Sequence, residues 1–348
     1  MTFDDQNTAA LESLGYTSDE ARFLYLVAVH SGYFAPRQFL TFTGTQSSNR
    51  PLAFAAKLES RGHATWREYH RIGRVYHLFS KTLNRFINKE NLPTPRRHSV
   101  EFIRTRLLLL DFILANSGFA YFETELEKTA YFCDALGIPK EMLPARSYEH
   151  AVGNEPTLRY FVDRFPMYLD HPVPGAPPVI TFSYVDAGVA RVTGFANHLK
   201  AYLPLFRRLE HFSFIYVANA AIHFRPAEKC FATLVRASVQ GDLPSDIPRY
   251  FRLRNAWELK QYSSLSTSDV EWLKEASGRF EGERFEDSYR AWASGALSDE
   301  ALGTAFEQLR VQGNLTFQTY LVPVTHLGKK RIAEDRESAP QASTSSDA

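Results

Sequence analysis

Hydrophobic and polar positions in the first sixty residues repeat with the period of short helices. The segment Thr17-Ser-Asp-Glu20 fits a capping box and predicts a helix that runs to about His30. Pro36 can occupy the first turn of a second helix, and apolar positions from Leu52 to Leu58 predict a third. Gly62 is typical of the position just after a helix end. The pattern therefore predicts three short helices in succession.

Two strands are predicted directly after the third helix. Residues 63–69 and 74–79 alternate between the two faces of an extended chain, and residues 70–73 between them predict a tight hairpin loop. Ser80 is then expected to open another helix, and the Pro-containing segment 91–97 is typical of a linker.

The pattern beyond the linker mixes helices with strands. Helices are predicted at 98–116, 123–136 and 190–209, and strands at 158–163, 179–185 and 212–217. A strand, a helix and a strand in this order predict a right-handed crossover and a small mixed or parallel sheet. Residues 227–310 are predicted to be mostly helical, with a last strand at 314–324.

These elements predict a mixed α+β fold with two domains and a tail. We expect an N-terminal domain at 1–92, an α/β domain of unknown role at 98–327 with a small central sheet and flanking helices, and a disordered tail at 328–348.

Charge is distributed unevenly along the chain. The net charge is +1 at pH 7, but residues 30–97 hold twelve Lys and Arg against three acidic residues, a local charge of +9 that leaves −8 for the rest. A basic block on an otherwise mildly acidic protein indicates an anionic partner.

Several classes of protein are not expected. The two cysteines, Cys133 and Cys230, have no partner at metal-ligand spacing, so neither a disulfide framework nor a zinc site is predicted, and no cofactor is expected. The acidic start, MTFDDQ, argues against a secretory signal, and no apolar run approaches the ~20 residues that span a bilayer. We expect a cytoplasmic protein without a membrane segment.

Two short motifs at the third helix and the hairpin resemble a known class of DNA-binding domain. Leu58-Glu-Ser-Arg61-Gly62 and Arg71-Ile-Gly-Arg74 are similar to the helix end and hairpin tip of MarR-type and ArsR-type winged helix-turn-helix regulators, and the resemblance covers residues 17–90. It implies a DNA-binding protein that takes part in transcription regulation or serves a mobile element, with the C-terminal domain used for assembly or partner binding.

The resemblance and the physics of groove recognition indicate the same residues. The N-terminal turns of a helix reach base edges in the major groove, and basic residues on a hairpin contact the DNA backbone. The predicted contacts to double-stranded DNA are Gln46, Ser47, Ser48, Asn49, Arg50, Lys57, Arg61, Arg67, Arg71 and Arg74.

Several of these residues also have a structural interpretation. Ser47 and Ser48 could serve only as helix caps, and Lys57 and Arg61 lie late on the third helix, where cations are often solvated. Aromatic residues of the hairpin could stack on bases or pack against the domain, and these are Trp66, Tyr69 and Tyr76. Three histidines spaced seven apart on a hairpin do not converge on one metal, and we expect packing or surface roles for His63, His70 and His77.

No catalytic motif is found in the sequence. There is no phosphate-binding glycine loop, no GxSxG and no HExxH. Three aspartates fall in or beside predicted strands, where carboxylates can hold a metal, but no His or Glu pattern accompanies Asp163, Asp170 and Asp186. No catalytic or metal residue is therefore predicted.

Two alternatives remain open. The first is a metal-dependent nuclease, active or degenerate, because the order of elements over 98–217 resembles the core of PD-(D/E)xK nucleases, although the strand at 180–186 lacks Glu-x-Lys. A winged helix that leads into such a region is also similar in layout to some plasmid replication-relaxation proteins. The spacing Pro244-Ser-Asp246 to Glu258-Leu-Lys260 has the required residues, although it falls on a predicted helix. The other alternative is a winged-helix scaffold that binds a protein.

The four leucines at 107–110 also allow two interpretations. They could form a dimer contact, which would suit two DNA half-sites one helical turn apart, or they could be buried within one subunit.

Overall fold

The structure is a computed structural model. It describes residues 5–45, 49–70, 72–79, 81–87, 98–148, 157–170, 178–188, 192–236, 243–277, 280, 282–306 and 314–324. Over these ranges the protein is a mixed fold of helices and small sheets, as the sequence predicts.

The described residues of the N-terminal unit form five helices and three strands. In chain order they are α1 (Asp5–Ser13), α2 (Ser18–Leu26, extended by a π-helical turn at Val27–Ser31), β1 (Tyr33–Phe34), α3 (Pro36–Thr43), α4 (Asn49–Ser60), β2 (Ala64–Tyr69), β3 (Gly73–Leu78) and α5 (Lys81–Phe86).

Local signals set the ends of these helices. The Thr17 amide donates to the Glu20 carboxylate over 2.9 Å, while the Thr17 side chain accepts from the Glu20 amide, so the predicted capping box is confirmed. Pro36 begins α3, and Gly62 lies at φ +65° after α4, where the following amide of His63 donates to the Leu58 carbonyl over 2.9 Å.

The hairpin and the short β1 form a three-stranded antiparallel sheet in the order β1-β3-β2. The hairpin loop is one residue shorter than predicted, because Gly73 at φ +89° pairs with Tyr69 and belongs to β3. The helices close over this sheet through a core of aromatic rings that includes Phe23, Phe34 and Tyr76.

The described residues beyond α5 form a five-stranded sheet, a two-stranded ribbon and a group of helices. In chain order the elements are α6 (Val100–Ala115), β4 (Ala120–Tyr121), α7 (Glu125–Ala130), β5 (Ala145–Tyr148), β6 (Thr157–Tyr160), β7 (Met167–Asp170), β8 (Val179–Asp186), α8 (Val192–Phe206), β9 (His211–Ala218), α9 (Phe224–Phe231), α10 (Leu243–Glu258), α11 (Thr267–Ser277), α12 (Glu283–Ala293), α13 (Asp299–Phe306) and β10 (Asn314–Leu321).

The large sheet has the order β10-β9-β8-β7-β4. Strands β8, β9 and β10 pair in parallel, and β7 pairs antiparallel with both β8 and β4. The predicted crossover from β8 through α8 to β9 is confirmed. The strand predicted at 158–163 ends at Tyr160 and pairs only with β5 in the separate ribbon. The chain turns at Phe161 and Arg164, both with positive φ, and β7 joins the sheet instead.

Helix α6 lies between the N-terminal unit and the sheet. Its four consecutive leucines, Leu107–Leu110, are each at most 1% exposed, because Leu108 and Leu109 pack on the sheet and Leu110 packs in the N-terminal core. The interpretation as a buried helix is therefore confirmed, and these leucines offer no surface to a second subunit.

Polar contacts strengthen this junction. The buried guanidinium of Arg106 donates to the carbonyls of His30 and Ser31 from the N-terminal unit and to that of Arg164 beside the sheet. Burial lowers the pKa of Arg106 to about 9. Gln38 of α3 donates to the Leu107 carbonyl over 2.8 Å. The N-terminal unit is thus held firmly against α6.

Helices α10 to α13 form a lobe with its own core, inserted between α9 and β10. The core includes Phe251, Tyr289 and Phe306. No helix of the described residues is long and apolar enough to cross a membrane.

Candidate nucleic-acid interface

The first three turns of α4 present a solvent-exposed face made of small and apolar side chains. Asn49, Leu52, Ala53 and Ala56 are exposed, while Phe54 on the opposite side is fully buried in the core. Small side chains let a helix approach a groove closely, and methyl groups can contact the methyl of thymine. The predicted contacts Gln46, Ser47 and Ser48 lie outside the described residues.

The hairpin continues this surface through a stack of two side chains. Trp66 of β2 is 40% exposed, and its indole N–H donates to Glu59 of α4 over 3.0 Å. The Arg74 guanidinium of β3 lies 4.4 Å from the centre of the Trp66 ring. The indole therefore ties the hairpin to α4, and Arg74 lies over the indole with its Nε 3.8 Å from the Glu68 carboxylate.

The other hairpin cations differ in position. Arg67 is exposed and pairs in register with Val75, which places it on the opposite face of the hairpin from Arg74. It makes no ion pair with the part of the chain that the structure describes. Arg71 lies outside the described residues. We call Arg67 and Arg74 the hairpin cations.

Three cations, two on α4 and one directly after it, contact the start of α2 or the tyrosine before it, although Arg61 is exposed and Arg50 is partly exposed. We call Arg50, Lys57 and Arg61 the helix cations. Arg50 pairs with Asp19 over 2.8 Å and Lys57 pairs with Glu20.

A tyrosine completes the contact between α4 and the start of α2. The Arg61 guanidinium lies 4.7 Å from the centre of the Tyr16 ring, and the Lys57 ammonium lies 5.6 Å from it. The +9 block is therefore partly neutralised by acids that lie outside the counted window.

The histidines of this unit have separate structural roles. The Tyr16 hydroxyl and Nδ1 of His63 are hydrogen bonded over 2.7 Å, and burial raises the pKa of Tyr16 to about 12 and lowers that of His63. His77 stacks on Tyr33 at 4.2 Å on the other face of the hairpin. His70 is exposed. They do not converge, and no group of three or more metal-binding side chains occurs among the described residues.

Aromatic residues of the hairpin divide between packing and exposure. Tyr76 is 1% exposed and belongs to the N-terminal core, while Tyr69 packs beside a small cluster with Ile103 and Leu107. Of the three that the sequence indicated, Trp66 alone is positioned on the α4 side with its ring open to a base or to a partner.

The carboxylates near the large sheet are bound separately. Asp163 pairs with His198 over 2.8 Å and accepts from the Tyr202 hydroxyl. Asp186 accepts from the Tyr216 hydroxyl over 2.5 Å. Asp170 ends β7. These carboxylates lie in different surroundings and do not form one centre.

The nuclease-like spacing also does not form a site. Asp246 and Glu258 lie on the single helix α10, twelve residues apart, which separates them by roughly 18 Å along its axis. Glu258 instead accepts from Arg254 and from the Tyr289 hydroxyl, each over 2.8 Å. This pairing supports the helical lobe.

Sequence reasoning missed three features of this surface. They are the Trp66–Arg74 stack, the bond from Trp66 to Glu59, and the pairing of the helix cations. The Trp66–Arg74 contact could have been found from the alternation along β2 and β3, because the hairpin register puts Trp66, Glu68 and Arg74 on one face.

No family model, curated protein or solved structure matches this chain, and the function is therefore argued from its geometry.

Proposed function

We propose that residues 17–90 form a winged helix-turn-helix that binds double-stranded DNA. The observation that carries the proposal is the exposed N-terminal face of α4 lying beside the Trp66–Arg74 stack. The order helix, short strand, two helices and hairpin, with β1 paired to β3, is the order expected of such a domain.

In this proposal α4 enters the major groove. Asn49 at its first turn can make a bidentate contact to adenine, and the exposed Leu52 and Ala53 can contact thymine methyl groups. The amides of the first turn also favour a phosphate.

The hairpin serves as the wing. Arg74 lies on the α4 side, where it can reach the backbone that borders the groove, and Arg67 faces the other way, toward the next backbone segment or the minor groove. Such contacts position the protein and contribute most of the salt dependence.

The remaining chain supports this unit. Because α6 packs on both the N-terminal core and the sheet, it joins the unit that carries the wing to the rest of the fold. We assign the protein a role as a cytoplasmic regulator or an accessory factor of a mobile element. The same exposed Leu52 and Trp66 also fit a protein partner, which is the alternative function.

The proposal is tested by fluorescence anisotropy of the full chain with random-sequence duplex DNA over a range of salt. We expect log affinity to fall with log salt at about −0.9 per phosphate contacted, for several contacts. The double variant Arg67→Ala/Arg74→Ala should bind more weakly, with a shallower slope.

The matched control is Arg290→Ala, since Arg290 is 75% exposed on α12, in the helical lobe. It should bind as the unchanged chain does. Absence of binding at low salt by the unchanged chain would overturn DNA binding and favour a protein partner. Circular dichroism confirms that each variant is folded.

A further inference from the structure

The two edges of the large sheet are built differently. One edge is β4, which is only two residues long, and a short edge strand gives little to pair with. The other edge is β10, eight residues that read Asn-Leu-Thr-Phe-Gln-Thr-Tyr-Leu, without a charge or a proline. Lys, Pro and bulges are the usual protections of an edge, and β10 has none of them.

The described part of the chain leaves this edge uncovered. Leu315 and Phe317 pack inward against the core with Phe214 and Phe231, but four other side chains of the strand are exposed. These exposed residues are Thr316, between the two inward-packed residues, and Gln318, Thr319 and Leu321 nearer the end of the strand.

We propose that β10 pairs antiparallel with β10 of a second copy of this chain, which joins two five-stranded sheets into one of ten strands about a two-fold axis. The proposal does not rest on DNA binding. It commits to a second copy because β10 is complementary to itself.

Self-complementarity is seen when the register is centred on Gln318. Residues directly opposite each other then share a face of the sheet, which sets Phe317 against the partner's Thr319 and Thr316 against the partner's Tyr320. Leu315 faces the partner's Leu321. Aromatic side chains paired with threonine, and leucine with leucine, are favourable cross-strand pairs.

Charge gives a second argument for self-pairing. Any charged residue near the centre of a symmetric antiparallel pair lies close to its own copy and repels it. The eight uncharged residues of β10 avoid this repulsion, although charged residues make up 23% of the chain. A register centred on Phe317 is less favourable, because it sets Leu315 against the partner's Thr319.

The symmetry has a consequence for the N-terminal units. A two-fold axis perpendicular to the sheet keeps both copies of α6 on one face, and α6 carries the N-terminal unit. Both α4 helices would therefore lie on the same side of the extended sheet, as two half-sites on one duplex require.

The test is the mass of the full chain in the absence of DNA, measured by sedimentation and by light scattering. The unchanged chain should be a dimer, about twice 39.7 kDa. Gln318→Lys alone and Gln318→Glu alone should each be monomeric at the same concentration. Mixing the two variants should restore the dimer, because the Lys of one copy then faces the Glu of the other.

Thr304→Lys is the control, since it adds the same charge at an exposed position of α13, and it should remain dimeric. A monomeric unchanged chain would overturn the proposal, and so would a dimer that Gln318→Lys leaves intact. A chain that dimerises only after truncation at residue 324 would also overturn it, since its own C-terminal segment would then occupy the edge. Circular dichroism melts show whether each variant is folded.

Discussion

The helix cations and the hairpin cations are close in sequence but differ in what surrounds them. The helix cations contact acids and an aromatic ring at the start of α2, within the same unit. The hairpin cations are exposed, and Arg74 lies over the Trp66 ring with its Nε 3.8 Å from the carboxylate of Glu68, an exposed neighbour on the hairpin itself. The comparison shows that a count of basic residues does not measure the charge that a partner meets.

The physical reason lies in the packing of α4 on α2. The first turn of α2 carries Asp19 and Glu20, and acidic side chains there are stabilised by the positive end of the helix dipole. Helix α4 crosses beside this turn. The half-exposed Arg50–Asp19 pair is of the kind that contributes about 0–1 kcal/mol, so its main effect is to remove free charge from the surface. Glu20, which pairs with Lys57, is largely buried. The proposed DNA contact therefore depends on the hairpin cations and on the exposed face of α4.

The largest expected effect is the loss of stability when the Tyr16 ring, which Lys57 and Arg61 contact, is removed. Tyr16→Ala should lower the free energy of unfolding by about 3 kcal/mol or more, because it removes a buried ring beside Phe54 and the hydroxyl bonded to His63. Urea unfolding measures this. Tyr16→Phe keeps the ring and should cost about 1 kcal/mol. Equal costs for both variants would contradict a structural role for the ring.

Replacement of Trp66 should affect DNA binding more than stability, in contrast to replacement of Tyr16. Trp66→Ala leaves the core intact and should change the free energy of unfolding by less than about 1 kcal/mol, since the ring is partly exposed. Loss of the support for Arg74 should weaken DNA binding by about 1 kcal/mol, or roughly fivefold. Fluorescence anisotropy measures the change in DNA affinity, and urea unfolding of the same preparation measures the change in stability. A large loss of stability with unchanged DNA binding would show that Trp66 is a core residue and not a support for Arg74.

We expect stability to depend on pH through His77, which lies on the face of the hairpin opposite Arg74. Burial lowers the pKa of His77 to about 4, and in the described part of the chain its Nε2 has no hydrogen-bond partner. The unfolded chain therefore binds more protons between about pH 6.5 and pH 4, so stability is lost as the pH falls through this range.

The contribution of His77 should be about 1 kcal/mol less at pH 5 than at pH 7, after allowance for its partial exposure. The pKa of both His63 and His98 is lowered as well, so the unchanged chain is compared with His77→Phe, and the difference isolates this residue. Urea unfolding at pH 5 and pH 7 measures the free energy of unfolding of both proteins. An identical pH dependence in the two would exclude a contribution from His77.

The smallest expected effect comes from breaking the ion pair of one helix cation, Arg50. Asp19→Asn releases Arg50, which is half-exposed at the start of α4, and should tighten binding to duplex DNA two- to threefold at low salt. The salt slope should steepen by about 0.9. Asp287→Asn, which breaks a similar exposed pair with Arg290, should change neither. An unchanged slope with Asp19→Asn would mean that Arg50 does not face the DNA.

Elements with local signals could be predicted from the sequence. The capping box at Thr17, the proline that begins α3 and the glycine after α4 act within a few residues of themselves. The two-residue β1 could not be predicted, because it has no pattern of its own and exists only through pairing with β3. The sheet order and the inserted helical lobe likewise depend on contacts far apart in sequence.

The candidate site was only partly predictable for the same reason. Asp19 and Glu20 lie 31 and 37 residues before the cations that they pair with, so a charge count that began at His30 left them out. The leucines of α6 were ambiguous, because an apolar run on all sides of a helix fits either a dimer contact or burial. Packing on two sides, against the N-terminal core and the sheet, decides for burial.

The most direct test of the account compares the two sets of cations on one duplex. The slope of log affinity against log salt is measured for the unchanged chain, for Arg67→Ala/Arg74→Ala, and for Arg50→Gln/Lys57→Gln/Arg61→Gln. We expect the hairpin variant to lose about 1.8 from the slope, about 0.9 for each phosphate contact, and the helix variant to keep the slope of the unchanged chain. A helix variant that loses the slope, beside a hairpin variant that keeps it, would contradict the account.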